Sequence, residues 1–182
     1  MTYYGGRELA RSFRTVRGNT VKIANEIPEH QYDFKGSPET RSVRETLVHI
    51  ALSTRIPSHI HTNRISDMRS VNFQELTAQL AAEQAKPRTK AEIIRLLEAE
   101  GEAFASFLEG LSESFLAEEV AMMPGSEPPT KSRFEMLLSP KEHEMHHRGQ
   151  LMLIERMLGI VPHLTREFQE RMARFQAAQA RA

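Results

Sequence analysis

The 182-residue sequence contains no cysteine. Disulfides, thiolate metal ligands and a cysteine nucleophile are therefore excluded, so any bound metal must be held by histidine, carboxylate or water. A reaction that needs a thiol would have to take it from a co-substrate.

The sequence also lacks an excess of charge of either sign. It has 24 Lys plus Arg and 24 Asp plus Glu, so its formal net charge is zero, and only 7% of its residues are aromatic. It contains no long basic run of the kind that follows nucleic-acid phosphates. We therefore expect no nucleic-acid partner.

Long hydrophobic runs are missing as well. Residues 1–7 have no apolar signal-peptide core, and no run approaches the roughly 20 residues that span a bilayer. A glycine-rich phosphate loop and a serine nucleophile elbow are also missing. We expect a cytoplasmic protein with no membrane partner, folded as a single domain over residues 1–182.

The sequence does contain a series of amphipathic segments. Apolar residues recur at steps of three and four, the spacing of a helix that buries one face. Two capping boxes, Ser42 with Glu45 and Thr89 with Glu92, predict helix starts. The predicted helices cover about residues 6–27, 42–60, 72–80, 89–111, 133–158 and 164–178.

Three local features affect how these helices continue. Pro57 predicts a bend in the second predicted helix. Pro140 follows a serine, so the fourth predicted helix either kinks there or begins anew. Residues 120–123 precede a Pro-Gly pair and predict either a small hairpin or a loop.

Candidate metal ligands are concentrated in residues 143–150, which read His-Glu-Met-His-His-Arg-Gly-Gln. His143 and His147 are four residues apart on one helix face, and Leu151 and Ile154 continue that face, so both imidazoles should point into the core. They then need hydrogen-bond partners or a metal, since a buried unsatisfied polar group costs roughly 1–3 kcal/mol. The spacing alone does not distinguish two histidines that form hydrogen bonds in the core from two histidines that bind a metal.

Several other polar residues have more than one interpretation. Glu144 follows the first histidine as in the zincin motif, which is matched only in part. His49 lies early in the second predicted helix, on an apolar stripe typical of a hydrogen-bonded core residue. His59 and His61 are expected at the surface. Glu100 could be a metal ligand, an acceptor for a ligating histidine or a residue turned to water, and we expect the last.

Two signatures resemble those of the DinB/YfiT-like family of metalloproteins. One is formed by residues 27–35 and 41–51, and the other is His143, three residues, then His-Arg-Gly-Gln. The resemblance extends from the first predicted helix to about Pro162. It implies an all-α fold, a four-helix bundle of up-down-down-up connectivity over about residues 6–162, here with an additional C-terminal helix.

The same resemblance implies a divalent ion held by His49, His143 and His147, and a homodimer. Zinc or nickel is the expected ion, with iron and manganese as alternatives. The resemblance thus implies that His49 is a metal ligand rather than a hydrogen-bonded core residue. His146 is expected to hydrogen-bond beside the ligands, Gln150 could line the pocket, and Arg148 has no assigned role.

Three histidine ligands without a thiolate leave at least one coordination position for water or substrate, which is typical of a catalytic site. The resemblance therefore favours a metal-dependent enzyme with a small-molecule substrate. It would be either a transferase that uses a low-molecular-weight thiol or a hydrolase that uses water. The alternative is a non-catalytic, stress-related metal-binding dimer in which the ion stabilises the bundle.

Overall fold

The computed structural model describes residues 4–180, which are mostly helical. Residues 1–3 and 181–182 of the predicted domain lie outside the described residues. Two short antiparallel strands, β1 (Glu119–Ala121) and β2 (Thr130–Ser132), form a hairpin. The helices in chain order are α1 (Gly6–Glu26), α2 (Val43–Leu52), α3 (Arg55–Thr62), α4 (Phe73–Gln84), α5 (Lys90–Glu109), α6 (Glu113–Ala117), α7 (Arg133–Met157) and α8 (His163–Gln179).

Helices α1, α2, α5 and α7 form a four-helix bundle, as predicted. The start of α1 meets the end of α5, because Gly6 packs on the backbone of Leu108. At the other end of this pair, Nζ of Lys90 donates to the carbonyl of Asn25 at 2.7 Å. Helices α1 and α5 are therefore antiparallel.

The remaining bundle helices complete the predicted connectivity. Helix α7 runs parallel to α1, since Tyr4 packs on Phe134 near both starts and Arg17 pairs with Glu144 near both centres. Helix α2 runs antiparallel to α7, because Thr46 shares a cavity with Gln150 while the end of α2 meets residues earlier in α7. The order is up-down-down-up.

The apolar stripes read from the sequence fill the interior of this bundle. Every residue of the stripe predicted for the first helix is buried, and the third predicted helix contributes a second buried stripe. The buried members of these stripes are Leu9, Phe13, Val16, Thr20, Ile23, Ile27, Ile93, Leu97 and Phe104.

The second predicted helix is divided in two. Helix α2 ends at Leu52 and α3 begins at Arg55, so the break lies about four residues before Pro57. Proline has no N–H to donate to the carbonyl four residues back, and its ring crowds that carbonyl. As a result His49 lies in the last turn of α2, not early in a long helix as predicted.

Two open alternatives are resolved farther along the chain. Helix α7 continues through Pro140 without a fresh start. Proline inside a helix costs about 3 kcal/mol, but burial of Leu137 and Leu151 on either side holds the two parts in line. The segment around Val120 forms the hairpin, and Val120 is buried beneath it.

The prediction that His61 lies at the surface is wrong. His61 is 1% exposed, whereas His59 is exposed as predicted. Because the chain bends between α2 and α3, α3 packs against α7 and turns His61 towards Arg133. Helical periodicity could not reveal this burial, since the bend changes which face of the segment meets the bundle.

The predicted C-terminal helix is present as α8, but its apolar stripe is largely uncovered. Phe168, Met172 and Phe175 are exposed among the described residues. The homodimer and the single domain over residues 1–182 stay predictions. None of the helices described between residues 4 and 180 is long and apolar enough to cross a membrane.

Close packing at Gly101 gives a test of the bundle interior. A Cβ at Gly101 would lie 2.6 Å from Cγ of the buried Arg17, so Gly101→Ala should lower the free energy of unfolding by about 1–3 kcal/mol. Gly18 in α1 is the matched control, because nothing lies within 4 Å of its Cβ position. Gly18→Ala should raise the free energy of unfolding by about 0.4–1 kcal/mol. Urea unfolding of the chelated protein measures both, and equal stabilisation by the two alanines would contradict this packing.

Candidate metal centre

The three histidines singled out in the sequence meet at one level of the bundle. His49 comes from the last turn of α2, and His143 and His147 come one turn apart from the middle of α7. The Nε2 atom of His143 lies 3.1 Å from Nε2 of His49 and 3.2 Å from Nε2 of His147. One ligand atom from each residue lies within 4.8 Å of the other two.

This spacing fits a divalent ion. Nitrogen ligands about 2.0–2.1 Å from a tetrahedral ion are about 3.3 Å apart, close to the distances found here. One proton can bridge the His49 and His143 nitrogens, but the lone pair of His147 would still face His143 at 3.2 Å. A cation at the centre removes that repulsion, and three imidazoles are a donor set that suits zinc or nickel.

The outward ring nitrogens help to orient the imidazoles. Nδ1–H of His147 donates to Oε1 of Gln150 at 2.7 Å, which leaves the lone pair on Nε2. The side-chain amide of Gln84 lies 3.4 Å from Nδ1 of His49, and a half-turn of that amide would offer its oxygen to the ring. Nδ1 of His143 is buried without a partner among the described residues. Of these partners, the sequence suggested only Gln150, as a residue that could line the pocket.

All three imidazoles are held in the neutral form that binds metals. Burial lowers the pKa of His49 to about 4, helped by the charge of Arg41 and by the two neighbouring rings. Burial also lowers the pKa of His143 and of His147, and Arg41 acts on both in the same direction. The charge that reaches the site from outside the histidines is therefore positive.

Glu144 does not take part in the site, although it follows His143 in the chain. It is fully buried on another face of α7, where Oε2 lies 3.0 Å from Nη2 of Arg17 and Oε1 accepts from Thr20 at 2.7 Å. A carboxylate engaged in this way is not available as the general base of a zincin. Glu144 therefore has a structural role in the bundle and is not the general base that a zincin motif would supply.

Arg17 joins all four bundle helices. From α1 its guanidinium binds Glu144 of α7, and it also donates to the carbonyl of Leu97 in α5 at 2.7 Å and of Ile50 in α2 at 3.2 Å. The network lies one residue from His143 and from His49, so it fixes the two helices that carry the histidines. This network was not predicted from the sequence, although Glu144 lies seven residues from both Leu137 and Leu151, the spacing of one buried face.

The other polar candidates lie at the edges of the site. Glu100 pairs with Arg55 of α3 at 2.5 Å and is not part of the histidine cluster. His146 is exposed, and its Nε2 lies 3.2 Å from Nε2 of Gln150. Arg148 is partly buried, and the structure assigns it no contact with the three histidines.

One cavity is lined by two of the histidines, and a second lies near them, on the side of Gln150. One, of about 290 Å³, is lined by His49 and His143 and extends between α3, α4 and α7. We call it the inner cavity. The other, of about 850 Å³, lies on the side of Gln150 and Thr46, beneath the connector that carries Arg41. We call it the outer cavity.

The family model that matches this chain is that of the DinB family, over residues 1–179. YjoA of Bacillus subtilis strain 168, described as uncharacterized, is 24% identical over 152 residues, which are 84% of this chain and 90% of YjoA. The crystal structure of YjoA, described as DinB-like, has a TM-score of 0.60 at 21% identity, over 84% of this chain and 92% of that one.

A second solved structure is similar over most of both chains. It is YfiT from Bacillus subtilis, described as a probable metal-dependent hydrolase with an unusual four-helix bundle topology. It has a TM-score of 0.66 at 12% identity, and the match covers 88% of this chain and 91% of YfiT. With the bundle, its connectivity and the family match in agreement, the chain belongs to the DinB family.

Proposed function

We propose that this protein is a divalent-metal-dependent enzyme that acts on a small-molecule electrophile. The observation that carries the proposal is the convergence of the three Nε2 atoms of His49, His143 and His147 at the wall of a cavity that His49 and His143 line. A closed structural ion would have a fourth protein ligand, and the described residues offer none within this cluster. Zinc or nickel is the proposed ion.

An ion held by three neutral imidazoles supplies Lewis-acid chemistry and lowers the pKa of a water or thiol bound to it. The chain's own residues would hold and orient this centre. Gln150 fixes the ring of His147, and the Arg17 network fixes the helices on which the histidines lie. The inner cavity, whose lining is mostly apolar, would hold the nonpolar part of a substrate beside the reacting centre.

The charge of Arg41 favours an anionic co-substrate. Arg41 lines the outer cavity, and its charge contributes to the lowered pKa of all three histidines. A positive potential stabilises a thiolate and attracts an anionic thiol. We therefore propose transfer of a low-molecular-weight thiol, from the outer cavity, to an electrophile in the inner cavity.

Two other functions remain as candidates. Hydrolysis needs only a water in place of the thiol, and the description of YfiT as a probable metal-dependent hydrolase supports it. A non-catalytic role, in which the ion only stabilises the bundle, would need no cavity beside the histidines.

Binding of thiols to the cobalt(II)-substituted protein tests the proposal. Mercaptoacetate, an anionic thiol, should produce a sulfur-to-cobalt charge-transfer band, and it should bind more tightly than the neutral 2-mercaptoethanol. Arg41→Gln should weaken the binding of mercaptoacetate by about 1.4- to 5-fold and leave the binding of 2-mercaptoethanol unchanged, since an exposed ion pair contributes about 0.2–1 kcal/mol.

Arg69→Gln is the matched control, because Arg69 is exposed, pairs with Asp67 and does not line either cavity. It should leave both thiols unaffected. If the cobalt-loaded protein gave no charge-transfer band with either thiol, thiol transfer would be ruled out and hydrolysis would remain as the proposed reaction.

A further inference from the structure

The inner cavity has a polar group at the end remote from the histidine cluster. Its walls are apolar for most of their extent, and at about 290 Å³ it lies at the small end of the range for ligand pockets. His61 lines it from α3, while His49 and His143 line it from the metal centre. The apolar wall residues are Ile56, Pro57, Ile60, Leu80, Met136 and Pro140.

The contacts of His61 fix where its proton lies. Nδ1 of His61 is 3.2 Å from Nη1 of Arg133, and a guanidinium can only donate. Nδ1 must therefore be the acceptor, and the proton of the neutral ring must be on Nε2. Burial and the charge of Arg133 lower the pKa of His61 to about 4, so the ring is neutral at physiological pH.

Arg133 is itself held in place. It is 1% exposed, its Nε donates to Glu118 at 2.8 Å, and its guanidinium lies over the ring of Phe115. The tautomer of His61 is thus set by a buried cation that has a partner of its own. Among the described residues, no acceptor takes the Nε2–H of His61, and the ring lines the inner cavity, so this donor is open to water or to a ligand there.

We infer that the Nε2–H of His61 is a specificity-determining donor for the substrate, which is a small, largely apolar molecule with a carbonyl, ether or hydroxyl oxygen. That oxygen would bind at His61, and the electrophilic end would lie at the histidine cluster. This assignment of the reacting end rests on the proposed function. The apolar body of the molecule would fill the space between them, against Ile60 and Leu80.

The donor also gives a reason for selectivity. A cavity lined by an N–H donor disfavours a ligand without an acceptor, because the donor then loses its water without gaining a partner. A hydrocarbon of the same shape would still gain from burial in the apolar part of the cavity. His61 should therefore affect the choice between two molecules of one shape rather than binding in general.

A pair of matched ligands tests this inference. Cyclohexanone carries one acceptor oxygen, and methylenecyclohexane has the same shape without it. Both should shift the methyl NMR signals of Ile56 and Ile60 in isoleucine-labelled protein. His61→Asn keeps an oxygen near the position of Nδ1 for Arg133 but removes the Nε2 donor. It should weaken the binding of cyclohexanone about 2- to 12-fold, the value of one net hydrogen bond, and should not weaken the binding of methylenecyclohexane, because that ligand makes no hydrogen bond to lose.

His59→Asn is the matched control, because His59 is exposed on the same helix and does not line the cavity. It should change neither affinity. The titrations are made on the zinc-loaded and on the chelated protein. Binding in the chelated form tests the cavity and His61 alone, so a failure of the metal assignment is seen separately as the absence of bound ion.

A second measurement does not depend on the stability of the variant. In the wild-type protein, imidazole nitrogen NMR should show His61 protonated at Nε2, and this signal should move with cyclohexanone but not with methylenecyclohexane. Equal weakening of the binding of both ligands in His61→Asn would overturn the inference. A His61 nitrogen signal that does not shift with cyclohexanone would also overturn it. Shifts at isoleucines outside the cavity, with none at Ile56 and Ile60, would also overturn it.

Discussion

His147→Ala is expected to abolish stoichiometric metal binding while leaving helix content near that of the wild type. Untagged wild-type protein purified without added metal should carry about one divalent ion per chain. Removing a ligand should cost more than the roughly 10- to 100-fold in affinity that follows loss of an outer hydrogen-bond partner. Elemental mass spectrometry measures the ion, and His49→Ala should give the same result, because its Nε2 lies 3.1 Å from Nε2 of His143.

His59→Ala serves as the control for this experiment, since His59 is exposed and lies outside the cluster. It should keep the full complement of metal. If His147→Ala also kept a tightly held ion, the three-histidine assignment would be wrong.

Chelation of the wild type separates the catalytic from the structural interpretation of the ion. At an ion concentration about 100 times Kd, binding stabilises the folded state by about 2.7 kcal/mol, so the chelated protein should unfold at a lower temperature. A catalytic ion should nevertheless leave the bundle folded when it is removed. Unfolding of the protein on chelation alone would support the non-catalytic role.

Arg17→Met is expected to be the most destabilising single substitution in the bundle. It leaves the carboxylate of Glu144 buried at 0% exposure with only the Thr20 hydroxyl as a side-chain partner, and it removes the donor to the carbonyl of Leu97. Loss of one partner of a buried ion pair costs about 3–5 kcal/mol. Urea unfolding of the chelated protein measures the effect.

The surface offers a matched arginine. Arg14 lies three residues earlier in α1 and pairs with Glu102 and Glu109, all three at least partly exposed. Arg14→Met should cost no more than about 1 kcal/mol, because water screens these charges. Equal losses for Arg14→Met and Arg17→Met would contradict the central role of the buried network.

A double variant tests whether the cost comes from the unpaired charge. Arg17→Met combined with Glu144→Leu replaces both charges by apolar groups of similar length, so its loss should be smaller than the sum of the two single losses. The metal affinity of the same protein reports on the site, since Arg17 binds the end of α2 and the middle of α7, which carry His49 and His143. Additive losses would show that the pair does not act as a unit.

The sequence determined most of the helical framework. The positions of the bundle helices followed from apolar residues at steps of three and four, and the capping boxes at Ser42 and Thr89 mark true helix starts. The resemblance in residues 143–150 and around His49 supplied the candidate ligands. These features are local or carried by short signatures, so they could be read without a tertiary structure.

Only the tertiary structure decided how neighbouring residues divide their roles. His143 and Glu144 are adjacent, yet His143 faces His49 whereas Glu144 binds Arg17, which is 127 residues away from it in the chain. His61 was predicted at the surface, but the bend before α3 buries it against Arg133 at the end of the inner cavity. Periodicity describes which residues share a face of one helix. It carries no information on which distant side chain meets that face, and such long-range contacts determine the charges, the tautomers and the cavities of this site.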